Sequence, residues 1–270
     1  LMLWALPLLP LAAAPLLYVW GARSRAALTA AASAVILATL ALALILVLEA
    51  PPGAEAVAYR WSPLITLQLQ MSAAGGLFAV VVPLVAAPVI AYAGIHEPGE
   101  GPGAGRPPAR MLSLMVAFVG AMLLLVLAGD LLTLLIAWEL VGACSWALIG
   151  HRWTDPRRGR DAGRAFLVTR AGDLGLYLAA AVLYAGTGSF AYGAIGGLSG
   201  PALELFAAGV LVAAAAKSAQ LPFAPWLFAA MSGPAAVSAL LHAATMVAAG
   251  IFLLARLYPQ LAAVPWLGPV

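Results

Sequence analysis

Residues 205–222 read Leu205-Phe206-Ala207-Ala208-Gly209-Val210-Leu211-Val212-Ala213-Ala214-Ala215-Ala216-Lys217-Ser218-Ala219-Gln220-Leu221-Pro222. An apolar run of helical length ends on a lysine, and a proline follows five residues later. Lys217 is the only lysine of the chain; the other twelve basic residues are arginines. Placing an ammonium in hydrocarbon costs ~2.5–3.5 kcal/mol on insertion scales. Unlike arginine, lysine can lose its proton when desolvated or when another positive charge approaches. Two readings follow: a proton-carrying lysine at a helix break, or a lysine snorkelling to a membrane surface.

The rest of the composition makes the setting a membrane. The chain is 64% hydrophobic and only 9% charged, with a mean hydropathy of +1.04, whereas soluble domains carry about 25% charged residues. The apolar runs are long and do not alternate, which excludes a transmembrane barrel and predicts an all-α, polytopic helix bundle. Eight spans are expected, at about 2–20, 27–48, 71–94, 111–128, 131–150, 164–186, 202–220 and 236–257, each near the ~20 residues a bilayer requires. The first lacks a basic start and contains Pro7, Pro10 and Pro15, so it reads as a span rather than a signal peptide. Residues 97–110, rich in Gly and Pro, read as a flexible loop. The net charge of +3 does not point to nucleic acid. Cys144 has no second cysteine to pair with.

Arg23 and Arg25, Arg106 and Arg110, and Arg152, Arg157, Arg158 and Arg160 fall in three loops that lie on one side if every span crosses. The positive-inside rule puts those loops in the cytoplasm and the N-terminus outside. The opposite side has little beyond Arg60, Asp130 and Arg256. Trp20, Trp61, Trp153, Trp226 and Trp266 fall near span ends and read as an interfacial belt. Pro222, Pro225 and Pro234 predict that span 7 is broken, either as a discontinuous helix of the kind ion-handling proteins use or as a plain proline stop.

Ionisable residues lie inside four spans: Glu139 on span 5, Arg170 and Asp173 on span 6, Lys217 on span 7 and His242 on span 8. Arg170 and Asp173, spaced i,i+3, can pair and neutralise each other on one helix face. An isolated carboxylate in a membrane needs a partner or a proton, so Glu139 is expected to face Lys217. His242 reads as a relay group or as a hydrogen-bonded core histidine. Ser218, Gln220, Ser238 and Thr245 are candidates for holding water between them. There is no phosphate loop or dinucleotide fingerprint, since Gly186-Thr187-Gly188 follows a membrane helix rather than a strand. Three scattered histidines and a lone cysteine argue against a metal site.

Four ordered stretches over about 131–257 carry a family resemblance. Trp138-Glu139-Leu140-Val141-Gly142-Ala143-Cys144-Ser145 resembles the WELVGxCS signature of the chain 5 (L subunit) family of respiratory complex I. The segment Arg164–Asp173 is similar to that family's KAFLxNRxGD, and Lys217–Pro222 to its KSAQxP. The segment Ser238–Val247 resembles SALIHAATMV. Departures include Thr169 for the usual Asn and Phe228, Ala229, Ala235 and Ala236 in the WLPxAMxGPTPVSAL stretch, marking a divergent branch.

The resemblance implies an antiporter-like, proton-translocating membrane subunit of an NADH-quinone oxidoreductase, related to the Mrp antiporters. It places a proton relay on Glu139, Lys217 and His242, with Arg170 and Asp173 in support and Pro222 in the break. It implies two inverted five-helix repeats in the family, of which this chain holds the first. Residues 1–110 would form spans 1–3 and a cytoplasmic loop, 111–257 the repeat that makes a proton half-channel, and 258–270 a truncated end. An N-terminal fragment of a longer subunit is therefore expected. No cofactor is expected in this chain; NAD, FMN, iron–sulfur clusters and quinone would sit in partner membrane-complex subunits. The lipid bilayer is the other partner, and a bacterial inner membrane the expected location. The alternatives are an Mrp-type Na⁺/H⁺ antiporter subunit, a bicarbonate-uptake or hydrogenase-linked relative, and a non-pumping structural subunit.

Overall fold

The computed structural model describes residues 2–21, 24–49, 55–60, 62, 66–99, 108–152, 154–243 and 245–267. Arg23, Arg106, Trp61 and Trp153, which carry part of the expected charge and aromatic pattern, lie outside them. Eight crossings of sufficient length and apolarity are present among the described residues, in agreement with the sequence reading. They are α1 (Met2–Trp20), α2 (Arg25–Glu49), α3 (Ala73–His96), α4 (Ala109–Val126), α5 (Leu131–Ile149), α6 (Pro156–Thr187) and α7 (Gly200–Lys217), followed by the pair α9 (Ala235–Ala243) and α10 (Met246–Leu261). A short helix, α8 (Pro225–Ala230), lies between α7 and α9. A two-stranded antiparallel hairpin, β1 (Glu55–Arg60) and β2 (Thr66–Gln70), which the hydropathy pattern did not reveal, joins α2 to α3.

Local chemistry sets the helix starts. Ser72 caps α3 by accepting from the Gly75 N–H. Asp130 caps α5 by accepting from Thr133 N–H at 2.6 Å, and Asp155, followed by Pro156, caps α6. Each side-chain oxygen satisfies a first-turn donor that has no intrahelical partner.

Contacts sort the helix ends onto two faces. On one, Arg25 donates to the carbonyls of Ile95 (3.0 Å) and Glu97 (2.8 Å) at the end of α3. There, too, Arg110 donates to the His151 carbonyl at 2.6 Å, and Arg152 pairs with Glu97 at 3.7 Å. On the other face, β2 docks on the α4–α5 turn: Gln70 N–H donates to Leu127 O and Gly129 N–H to Gln68 O, both at 2.7 Å. Arg256 of α10 reaches Gln70 there and lies over the Tyr192 ring.

Small residues let the helices close up, as in membrane bundles where lipid supplies no hydrophobic drive. On α6, a Cβ at Gly175 would lie 2.5 Å from the Gly209 carbonyl of α7, so those backbones touch. Three expectations change. Helix α6 starts at Pro156 rather than 164, because the Asp155–Pro156 cap holds its first turns outside the apolar stretch. The eighth crossing comprises two helices rather than one. Trp226 is fully buried, its Nε1–H donating to Ala216 O at 2.7 Å, and so does not belong to an interfacial belt; exposed Trp20 and Trp266 fit one.

Candidate functional site

Helix α7 ends because of its capping, before any proline is reached. Ser218 follows the last helical residue, and Ala219 takes a left-handed conformation at φ +52°. The Gln220 N–H then bonds Ala215 O at 2.8 Å and the Ala219 N–H bonds Ala216 O at 3.2 Å. This double bond pattern is the Schellman motif that closes helix C-termini. Lys217 is thus the final residue of α7, where the helix dipole favours a cation. Its side chain is 0% exposed, which rules out snorkelling.

Around Lys217 the structure builds a chain of four alternating charges. Lys217 Nζ lies 3.7 Å from Asp173 Oδ2, 4.6 Å from the centre of the Trp138 ring and 3.4 Å from the Trp138 carbonyl, to which it donates. Asp173, 1% exposed, also faces Arg170 Nη2 at 3.3 Å and accepts from Trp138 Nε1–H. Arg170 then pairs with Glu139 and stacks over Phe166. The sequence Glu139, Arg170, Asp173, Lys217 sums to zero charge, so burial leaves no net ion.

The expected Glu139–Lys217 contact is therefore replaced. Consecutive helix residues project about 100° apart. With Trp138 turned in over Lys217, Glu139 is carried round α5 to Arg170. Its side chain is 27% exposed and borders a cavity of about 380 Å³ with Ile136, Leu140 and Phe166. The i,i+3 Arg170–Asp173 pair forms as expected, but it is the middle of the chain rather than a closed unit. Gly142 makes room for both cations: a Cβ there would lie 3.5 Å from Lys217 Nζ and closer still to Arg170.

His242 stands apart from this chain. Its ring packs against Trp226, with centroids 5.9 Å apart, and among the described residues neither ring nitrogen has a hydrogen-bond partner. No hydrogen bond or ion pair joins it to Lys217 among the described residues. Ser238, one turn earlier on α9, also has a buried hydroxyl without a partner. The other expected water-holding groups are otherwise engaged. Ser218 Oγ donates to Val247 O at 2.7 Å, Thr245 Oγ1 to Leu240 O, and Gln220 Nε2 to Ser218 O at 3.0 Å. Pro222 is exposed in the turn after the break.

Three groups escaped the sequence reading. Trp138 serves as the common neighbour of Asp173 and Lys217. Glu97, assigned to a flexible loop, is buried, with Oε1 accepting from Ala236 N–H at the start of α9 and Oε2 paired with Arg152. His151, just past α5, is buried and held neutral: burial, then the charges of Arg110, Arg152 and Arg158, lower its pKa to about 4. A Trp beside an intramembrane Glu was visible as a pattern; the other two depend on partners distant in sequence, Ala236 of α9 and Arg110 of α4.

Fold and site define a multi-pass helical membrane protein with a neutral chain of buried charges ending at a discontinuous helix. The comparisons give the class a family. The family model for the transmembrane region of NADH:quinone oxidoreductase and Mrp antiporter proteins matches residues 128–268, and the chain belongs to that family. It is 42% identical over 203 residues to NAD(P)H-quinone oxidoreductase chain 5 of Synechocystis sp., covering 70% of this chain and 28% of the relative. It is 45% identical over 146 residues to NADH-quinone oxidoreductase subunit L of Escherichia coli, covering 52% of this chain and 24% of that protein. The chain thus spans under a third of the length of these relatives. A solved Mrp complex from Dietzia sp. superposes with a TM-score of 0.85 at 32% identity, over 98% of this chain and 29% of that one. An archaeal membrane-bound sulfane sulfur reductase complex shares the fold, with a TM-score of 0.79 at 16% identity over 97% of this chain and 54% of that one.

Proposed function

We propose that the chain is a proton-translocating membrane subunit of an NADH-quinone oxidoreductase-type complex, moving H⁺ through Glu139, Lys217 and His242. Quinone reduction, with NAD, FMN and iron–sulfur centres, belongs to partner subunits. The observation that carries the reading is the shared carboxylate: Asp173 faces Arg170 at 3.3 Å and Lys217 at 3.7 Å. Arg170 stays charged, so the titrating cation of the four-residue chain is Lys217. When Arg170 leans on Glu139, Asp173 serves Lys217 and holds it as an ammonium. When Arg170 leans on Asp173, Lys217 loses its counter-ion and releases its proton. A change at Glu139 is in this way felt at Lys217 without contact between them.

His242 is the next acceptor. Its two ring nitrogens and the Ser238 hydroxyl, i and i+4 on α9, are buried and unpartnered, as expected of groups that hold ordered water. The region 111–257 acts as one half-channel. Clustering of Arg25, Arg110 and Arg152 on one face supports cytoplasmic arginine loops and an external N-terminus in a bacterial inner membrane.

The second reading is an Mrp-type Na⁺/H⁺ antiporter subunit, favoured by the near-complete overlay on the Mrp complex. Transport by the assembled complex in vesicles, followed with a pH dye at several Na⁺ concentrations, separates the two. Proton movement independent of Na⁺ and lost in Glu139→Gln supports the first; proton movement that requires Na⁺ supports the second. Proton movement unchanged in Glu139→Gln overturns the relay and leaves a structural role.

A further inference from the structure

Helix α6 is 32 residues long, about 48 Å at 1.5 Å per residue, against a hydrocarbon core of about 30 Å. Its first turns therefore stand at headgroup depth. There a cavity of about 520 Å³ opens between α6 and α8, away from the charge chain. One wall is Arg157, Asp161 and Arg164 of α6; the other is Phe228, Met231 and Ser232. Arg157 and Arg164, spaced i,i+7, share a helix face. Among the described residues neither guanidinium makes an ion pair, whereas neighbouring Arg158 is paired with Asp155. Opposite them, Phe228 is 74% and Met231 60% exposed. Ser232, on that same wall, has a hydroxyl without a partner among the described residues.

We infer that this cavity binds one monoanionic phospholipid, with the phosphodiester between Arg157 and Arg164 and an acyl chain along Phe228 and Met231. Charge complementarity decides the occupant. Two arginines and Asp161 leave the polar wall at one net positive charge, which a single phosphodiester balances. An inorganic anion would leave Phe228 and Met231 exposed, and a neutral lipid would leave the guanidiniums unpaired. The site has a consequence for the break. Trp226 of α8 donates to Ala216 O beside Lys217, so a lipid bridging α6 to α8 braces the end of α7.

The test uses the assembled complex in phosphatidylcholine vesicles containing phosphatidylglycerol with a photoreactive acyl chain, and maps the adducts by mass spectrometry. Adducts are expected at Phe228 and Met231, competed by unlabelled phosphatidylglycerol but not by phosphatidylcholine. Arg157→Gln with Arg164→Gln should lower them roughly tenfold or more, while Arg157→Lys with Arg164→Lys keeps most of them. Three results would overturn the inference: equal labelling by a phosphatidylcholine probe, labelling unchanged in the double glutamine variant, or no labelling because a protein segment covers α8. Labelling does not depend on transport, so it stands or falls apart from the proton reading.

Discussion

Cations in this molecule face two kinds of partner, backbone carbonyls at one surface and carboxylates inside the bundle. On the arginine-rich surface, Arg25 and Arg110 donate to backbone carbonyls beyond α3 and α5. A carbonyl cannot change charge and an arginine does not release its proton, so these contacts are struts. Inside the bundle, Lys217 faces a carboxylate that Arg170 also claims. In the proposed relay that contact is exchanged and the lysine releases its proton. The difference teaches that a buried cation whose counter-ion has a second partner differs from one held by a carbonyl, and the proposed relay rests on that arrangement at Lys217.

The contrast breaks hardest at Asp173. Asp173→Asn leaves Lys217 buried without a counter-ion, which costs about 3–5 kcal/mol. Arg152→Gln should cost less, because the arginine is 38% exposed and Glu97 keeps its hydrogen bond from Ala236. Thermal unfolding of the purified complex measures both, and equal shifts would erase the distinction. A histidine among the struts gives the next effect. His151 has a pKa lowered to about 4 from 6.5, so the unfolded chain takes up its proton first. Its stabilisation is complete above about pH 6.5 and is lost as the pH falls towards 4, by about 3 kcal/mol at most. Thermal midpoints measured across that window should fall in the native protein and stay flatter in His151→Gln.

Helix contact sharpens the same contrast. Gly175→Ala drives a methyl against Gly209 O, parting α6 from α7 and so Asp173 from Lys217. The expected cost is about 1–3 kcal/mol, with a larger loss of transport than of stability. Arg110→Ala, removing one strut, should cost about 1.5–3 kcal/mol and leave transport unchanged; a transport defect there would make the surface arginines more than struts.

Hydropathy alone exposed the eight crossings, since ~20 apolar residues in a row have few other uses. The break after Lys217 was also legible, though for the wrong cause: Pro222 advertised it, while the Schellman cap at Ala219 makes it. Glu139, Arg170, Asp173 and Lys217 stood out because charge in an apolar run is conspicuous. Their order did not, because partner choice depends on how α5 is rotated about its axis, which spacing within one helix does not fix. Glu97 and His151 were hidden for a similar reason, being residues just past helix ends whose partners, Ala236 of α9 and Arg110 of α4, come from elsewhere in the chain. The hairpin was missed because its strands are short and are held by backbone bonds to the α4–α5 turn.

The most direct test replaces the titrating cation with one that keeps its charge. Lys217→Arg preserves a positive partner for Asp173 but holds its proton. Proton pumping would be measured in membrane vesicles of the assembled complex, with redox turnover and assembly followed in parallel and Lys217→Ala as the companion variant. Pumping is expected to fall about tenfold or more in both variants while the complex still assembles. Normal pumping by Lys217→Arg would contradict the relay, because the buried lysine would then be one more strut.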